Sequence, residues 1–164
     1  MDYSLFINTS LDGGMLGELF YKLLSQVLKE SPTFNKYQHR YGYRYINIGC
    51  EYFLLTITLD DDDMTDTLEC SKEDFGIESS WVISVQFVSR NFGLGWLKFL
   101  EVIGKFLREV EGEMLLLDDG SSPIMKRAGG TLFVSDDLDA HQSSFITNEN
   151  LKSLNYPYLY GSMR

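Results

Sequence analysis

The sequence predicts an α+β fold in which one largely antiparallel sheet carries two main helices on the same face. Short runs that alternate apolar and polar residues outnumber helical patterns, and only two helical patterns are long. The links between successive strands are short, which suits antiparallel pairing. A doubly wound parallel sheet would need more helices. The length fits a single domain spanning residues 1–164.

The first half of the chain follows the order strand, helix, strand, strand. The predicted elements are residues 3–9, 15–29, 45–50 and 51–59. The helix has apolar residues at steps of three and four, and it ends near Pro32 because proline disfavours helical geometry in the residue before it. The segment between this helix and the next strand is polar and rich in tyrosine, and no strand is predicted there.

Residues 60–80 are expected to form a long acidic connection that holds at most a short helical turn near 72–75. The connection opens with four consecutive carboxylates: Asp60, Asp61, Asp62 and Asp63. A solvated loop, a protein-binding acidic patch and a cation site all remain open for this run. A calcium loop of the EF-hand type is disfavoured, because the segment lacks the central glycine of such a loop.

The second half begins with a strand and a helix and ends with three strands and a tail. Its predicted elements are strands at 81–90, 114–117, 123–127 and 131–135 and a helix at 96–110. Gly93-Leu94-Gly95 is expected in a turn, and Gly129-Gly130 in a hairpin. After 137 the periodicity is lost, so residues 138–164 are predicted to be a mostly irregular segment packed over the domain.

Composition bears on function mainly through charge. The chain has 24 acidic and 14 basic side chains, a formal net charge of −10. Such a field disfavours nucleic acid and anionic membrane and favours basic proteins. The two cysteines and two histidines are too scattered to predict a metal or triad site, so no cofactor and no enzymatic activity are expected. Reduced thiols and the absence of a long apolar run indicate a cytoplasmic protein.

Residues 92–137 show a more specific pattern: helix, apolar strand, Asp-containing turn, basic strand, glycine turn and apolar strand. The features that carry it are the apolar runs 115–117 and 132–134, Asp118-Asp119-Gly120, Lys126-Arg127 and Gly129-Gly130. This pattern resembles the C-terminal half of the Sit-type immunity proteins of bacteria, and the first strand followed by a leucine-rich helix also fits their plan. The resemblance implies a protein that neutralises a cognate toxin by binding it, without catalytic residues.

The sequence therefore predicts stoichiometric, electrostatically assisted binding of a toxin or effector protein that has a basic surface. An acidic secretion chaperone for an effector is the alternative, and an enzyme without a recognisable motif is a third reading. Oligomeric state is left open. The predicted contact residues are acids in loops together with one tryptophan: Asp60, Asp61, Asp62, Asp63, Asp66, Trp81, Asp136, Asp137 and Asp139.

Overall fold

The computed structural model describes residues 2–38, 42, 44–59 and 64–163. The strands are β1 (Asp2–Ile7), β2 (Thr33–Gln38), β3 (Arg44–Gly49), β4 (Phe53–Thr58), β5 (Trp81–Phe87), β6 (Met114–Asp118), β7 (Ser122–Ala128), β8 (Thr131–Ser135) and β9 (Tyr158–Gly161). The α-helices are α1 (Gly13–Val27), α2 (Met64–Phe75), α3 (Phe92–Glu109), α4 (Ala140–Phe145) and α5 (Asn148–Leu151).

The nine strands form one open sheet in the order β2-β3-β4-β5-β1-β6-β7-β8-β9. Every neighbouring pair is antiparallel except β8 and β9, which run parallel. The predicted α+β class with a largely antiparallel sheet is confirmed. The N-terminal strand β1 lies near the middle of the sheet, whereas the late strand β9 forms one edge.

One face of the sheet, here called the front face, is covered by α1 and α3. Phe20 of α1 stacks on Phe106 of α3, with ring centroids 5.0 Å apart and planes 15° apart. Phe99 lies edge-on to Phe53 and Phe87 of the sheet. The predicted meeting of the two long helices on one face is therefore confirmed, and the aromatic residues that form this contact are almost fully buried. This cluster is the main hydrophobic core.

A buried arginine ties the C-terminal end of α3 to the sheet. The guanidinium of Arg127, on β7, donates to the backbone oxygens of Leu107 at 2.6 Å and of Gly112 at 2.8 Å, and also to that of Val110. Only 4% of Arg127 is exposed. Carbonyl groups at the end of a helix lack hydrogen-bond donors within the helix and carry partial negative charge. The guanidinium supplies the donors and a compensating positive charge.

The opposite face of the sheet, here called the back face, carries a much smaller apolar cluster under α2. Phe6 of β1 and Leu115 and Leu117 of β6 pack there with Phe75 and Ile77. Their neighbours Leu5 and Ile7 belong to the front core, because successive side chains of a strand point to opposite faces. The helix α2 thus covers the back face near β1 and β6.

The expectation that 60–80 is a connection with at most a short helical turn is wrong, because α2 is a helix of 12 residues. Leu68, Ser71 and Phe75 recur at helical spacing and face the sheet. The sequence pattern did not predict this helix, because its buried side has only two apolar residues among many acidic and polar ones. The buried Ser71 hydroxyl lies within hydrogen-bonding distance of the Leu68 and Ile77 carbonyl oxygens.

Residues 33–38 form strand β2, although the sequence predicts no strand there. β2 is an edge strand that pairs only with β3, and most of its side chains are exposed. Its pairing therefore rests on the backbone, with half-buried Phe34 edge-on to Tyr21 of α1. An edge strand of this kind shows little of the alternation that sequence patterns detect.

The turn expected at Gly93-Leu94-Gly95 is also wrong, because these residues form the first turn of α3. Gly95 is buried against the β3–β4 turn, and a Cβ atom placed there would lie 3.0 Å from the Cβ atom of Tyr52. This glycine serves close packing of a helix rather than a change of chain direction.

The C-terminal segment 138–164 was expected to be mostly irregular, and that expectation is wrong. It contains α4, α5, a 3₁₀ turn at Lys152–Leu154 and β9. The 3₁₀ turn packs so closely on α3 that a Cβ atom on Gly104 would lie 1.7 Å from the Leu154 carbonyl oxygen. The short lengths of these elements and their dependence on α3 and β8 explain why local periodicity fails here.

Candidate partner-binding surface

Helix α2 presents a stripe of carboxylates to solvent. Asp66, Glu69 and Glu73 are exposed and lie three and four residues apart, which places them on one side of the helix. The buried positions 68, 71 and 75 follow the same spacing and lie on the other side. The same amphipathic pattern therefore docks the helix and points its acids away from the sheet.

Beside α2, the back face of β2–β5 is open in the part of the chain that the structure describes. None of its outward side chains is buried, whereas their front-face neighbours on β3, β4 and β5 are. This open back face consists of Asn35, Tyr37, Tyr45, Asn47, Leu54, Thr56, Thr58, Ser84 and Gln86. It is rich in amides, hydroxyls and tyrosine and holds no charged side chain, a composition typical of adaptable recognition surfaces.

Two contacts organise the open back face. Tyr37 and Tyr45, opposite each other on β2 and β3, stack with centroids 5.2 Å apart and planes 24° apart. Tyr37 remains 44% exposed. The Thr56 hydroxyl donates to the Asn47 amide oxygen at 2.9 Å. These contacts hold polar and aromatic groups in fixed positions, and fixed groups lose less entropy when a surface of this kind is used for binding.

The structure divides the predicted contact residues among separate places. Asp60, Asp61, Asp62 and Asp63 lie outside the described residues, and Asp66 is exposed on α2. Trp81 begins β5 but belongs to the front face, where its Nε1 donates to the Leu11 backbone oxygen at 3.0 Å and its ring packs against Gly13. Trp81 and Asp66 are thus on opposite sides of the sheet, and the described structure does not bring them together.

The remaining predicted acids follow β8, at the end of the strands away from Trp81. Asp136 and Asp137 are exposed. Asp139 caps α4: its Oδ1 accepts the Gln142 backbone N–H at 2.7 Å, while the Gln142 side chain accepts the Asp139 N–H at 3.2 Å. Because β5 has seven residues, about 20 Å separates the two strand ends. Asp136 and Asp137 therefore do not form one patch with Trp81.

Gln142 also links α4 to the turn between β6 and β7, which contains Asp118. Its Nε2 donates to the Asp118 carboxylate at 3.0 Å and to the Ser122 hydroxyl at 3.1 Å, and the residue is 2% exposed. Asp118 therefore holds α4 against the β6–β7 turn. His141 is exposed on α4, with its ring 5.3 Å from that of Phe145, and His39 lies outside the described residues.

Burial raises the pKa of a tyrosine in the core and of a cysteine in a cleft. Burial raises the pKa of the Tyr3 hydroxyl, and the nearby Asp118 charge adds to the effect. Burial also raises the pKa of the Cys50 thiol, which lines a cleft of about 420 Å³ with Leu28, Tyr52 and Leu94. A raised thiol pKa keeps Cys50 protonated near neutral pH and thus weakly nucleophilic.

Among residues 2–38, 42, 44–59 and 64–163, no three His, Cys, Asp or Glu side chains are grouped so that they could hold a metal ion. In the same residues, no helix has both the length and the apolar character needed to cross a membrane.

Comparisons with protein-family models, curated proteins and solved structures found no match.

Sequence reasoning found the acids but not the surface beside them. The open back face alternates with core residues along β3, β4 and β5, so its members were visible as the polar half of each strand pattern. The missing prediction was the helix α2. This helix covers the back face near β1 and β6, and no other described segment covers the back face of β2–β5. The helical spacing of Leu68, Ser71 and Phe75 was the sequence signal that could have predicted α2.

Proposed function

We propose that the protein is an immunity protein that neutralises a cognate bacterial toxin by stoichiometric binding through the open back face and the acidic stripe of α2. The observation that carries the proposal is this pairing of surfaces. A fixed, uncharged set of tyrosine, amide and hydroxyl groups lies beside exposed carboxylates at positions 66, 69 and 73. The resemblance of residues 92–137 to Sit-type immunity proteins supports the same function.

The two parts of the surface have different physical roles. Exposed carboxylates attract a basic partner over several ångströms and raise the association rate, an effect that salt weakens. Stacked Tyr37 and Tyr45 offer a rigid aromatic platform, and tyrosine is enriched among the residues that dominate binding energy. An arginine of the partner would suit this platform, because guanidinium groups stack on aromatic rings.

The test is co-expression with a candidate toxin taken from the genes next to this protein's gene, followed by measurement of binding kinetics. Asp66→Lys with Glu69→Lys should reduce the association rate by about tenfold at low salt, because reversed charges repel a basic partner. Asp136→Lys with Asp137→Lys is the matched control, since it changes the net charge equally at exposed residues that follow β8 instead of lying on α2.

Equal losses in the two double variants would mean that the field of the whole molecule acts, rather than the α2 stripe. Tyr37→Ala should increase the dissociation rate with little effect on association, because a buried aromatic contact is lost only after docking. Failure of the wild-type protein to bind or protect against the toxin would overturn the proposal.

A secretion chaperone is a second candidate, favoured by one observation. Leu94 is 52% exposed at the cleft that Leu28 and Tyr52 also line. Such a chaperone would hold an unfolded effector segment there, so Leu94→Lys would abolish effector binding. Under the immunity proposal, Leu94→Lys leaves toxin binding unchanged, because this cleft lies between the end of α1 and the start of α3, away from the back face.

A further inference from the structure

The two edges of the sheet differ in how they are protected against pairing with another strand. An edge strand offers unpaired backbone groups, and proteins usually shield them with charges or proline. β2 carries the exposed Lys36 in its middle, and all its residues except Phe34 are exposed and polar or aromatic. β9 carries no charged residue in its four positions.

Two large hydrophobic side chains of β9, one on each face of the sheet, are exposed. Leu159 is 59% exposed, the largest value for a large hydrophobic side chain among the described residues, and Tyr160 is 48% exposed. Register with β8 places Leu159 beside Phe133 on the back face and Tyr160 beside Val134 on the front face. An edge strand that is exposed, apolar and uncharged is a site for association with another strand.

Charge indicates which partner fits this edge. Residues 153–163 contain no Asp, Glu, Lys or Arg in a chain of net charge −10. The other uncharged stretch of this length, 79–89, contains β5, which is paired on both sides in the middle of the sheet. A basic partner would be drawn to the carboxylates elsewhere, whereas two copies of this acidic chain repel each other least where they meet through an uncharged segment.

We propose that the outer edge of β9 pairs antiparallel with β9 of a second copy of this chain. A two-fold axis normal to the sheet would then place each Leu159 opposite its equivalent on the back face. Tyr158 of one copy would lie opposite Tyr160 of the other on the front face, giving two aromatic cross-strand pairs. Pro157 precedes β9 and has no N–H to donate, so the pairing stops there.

Because one four-residue strand forms the centre of the contact, the dimer is weak and depends on concentration. Its salt dependence is opposite to that of binding a basic partner. Salt screens the repulsion between two acidic copies and thus strengthens the dimer, while it weakens attraction to a basic toxin. The dimer does not rest on the proposed immunity function, and salt separates the two.

Sedimentation velocity over a hundredfold range of protein concentration tests the proposal. The wild-type sedimentation coefficient should rise with concentration, and the rise should be larger at high salt. Leu159→Lys should weaken dimerisation by at least about tenfold, because two like charges would meet at the axis. Leu94→Lys, which also replaces an exposed leucine, should dimerise like the wild type.

A wild type that remains monomeric throughout, or equal behaviour of the Leu159 and Leu94 variants, would overturn the proposal. A second experiment checks the register and does not depend on the stability of the lysine variant. In a Cys70→Ser background, Leu159→Cys should form a reducible covalent dimer under mild oxidation, since opposed Cα atoms in antiparallel strands lie within disulfide range. Crosslinking no faster than that of Leu94→Cys in the same background would contradict the pairing.

Discussion

The two faces of the sheet differ in what their residues do. On the front face, α1 and α3 bury aromatic and aliphatic side chains almost completely, and a buried arginine fastens α3 at its end. On the back face, α2 covers a small cluster, and no other described segment covers the β2–β5 region. Stability is therefore concentrated on the front face, and the back face has groups that can meet a partner at little cost to the fold.

The largest effect expected from this comparison is at Phe99 on the front face. Phe99→Ala should lower the free energy of unfolding by about 3–5 kcal/mol, through lost burial and the cavity left among Phe53, Phe87 and Trp96. Urea denaturation measures the change. A midpoint equal to that of the wild type would show that the front face is not the main core.

Arg127→Leu should lower the free energy of unfolding by about 2–4 kcal/mol, because carbonyl groups at the end of α3 lose their donors. Arg127→Lys, which keeps the charge but not the branched donor group, should recover only part of the loss. Thermal unfolding of both variants beside the wild type gives the comparison. Full recovery with lysine would mean that charge alone fastens the helix.

Phe75→Ala should cost about 1–3 kcal/mol, less than Phe99→Ala, because its cluster is small and the helix α2 can move to fill the space. Hydrogen exchange should show opening confined to α2 and adjoining backbone, with the front-face helices still protected. A loss as large as that of Phe99→Ala, with exchange increased everywhere, would remove the distinction between the faces.

The smallest effect is expected on the open back face. Gln86→Ala should change the free energy of unfolding by no more than about 0.5 kcal/mol, since the residue is exposed beside the ladder of β5. The equivalent measurement on Val85→Ala, one residue along the strand and facing the core, is the matched comparison. Similar losses in the two variants would mean that the back face contributes to stability as the front face does.

Sequence alone predicted the elements that contribute to the front core, because Phe20, Phe99 and Val85 belong to long regular patterns of burial. It did not predict β2 or α2, whose apolar faces amount to one or a few residues each. The acidic Asp66 was identified as a contact candidate, but its surroundings depend on where α2 docks. The C-terminal elements depend on contacts with α3 that local patterns do not contain, such as that between Gly104 and Leu154.

The strand order also affects how the chain folds during synthesis. β1 is made before the other eight described strands, yet its two neighbours in the sheet are β5 and β6, which end at Phe87 and Asp118. During translation the hairpin of β3 and β4 can pair at once, whereas the apolar β1 stays unpaired until β5 has left the ribosome. Because loop closure over such distances is slow, we expect this nascent strand to be the segment most in need of a chaperone.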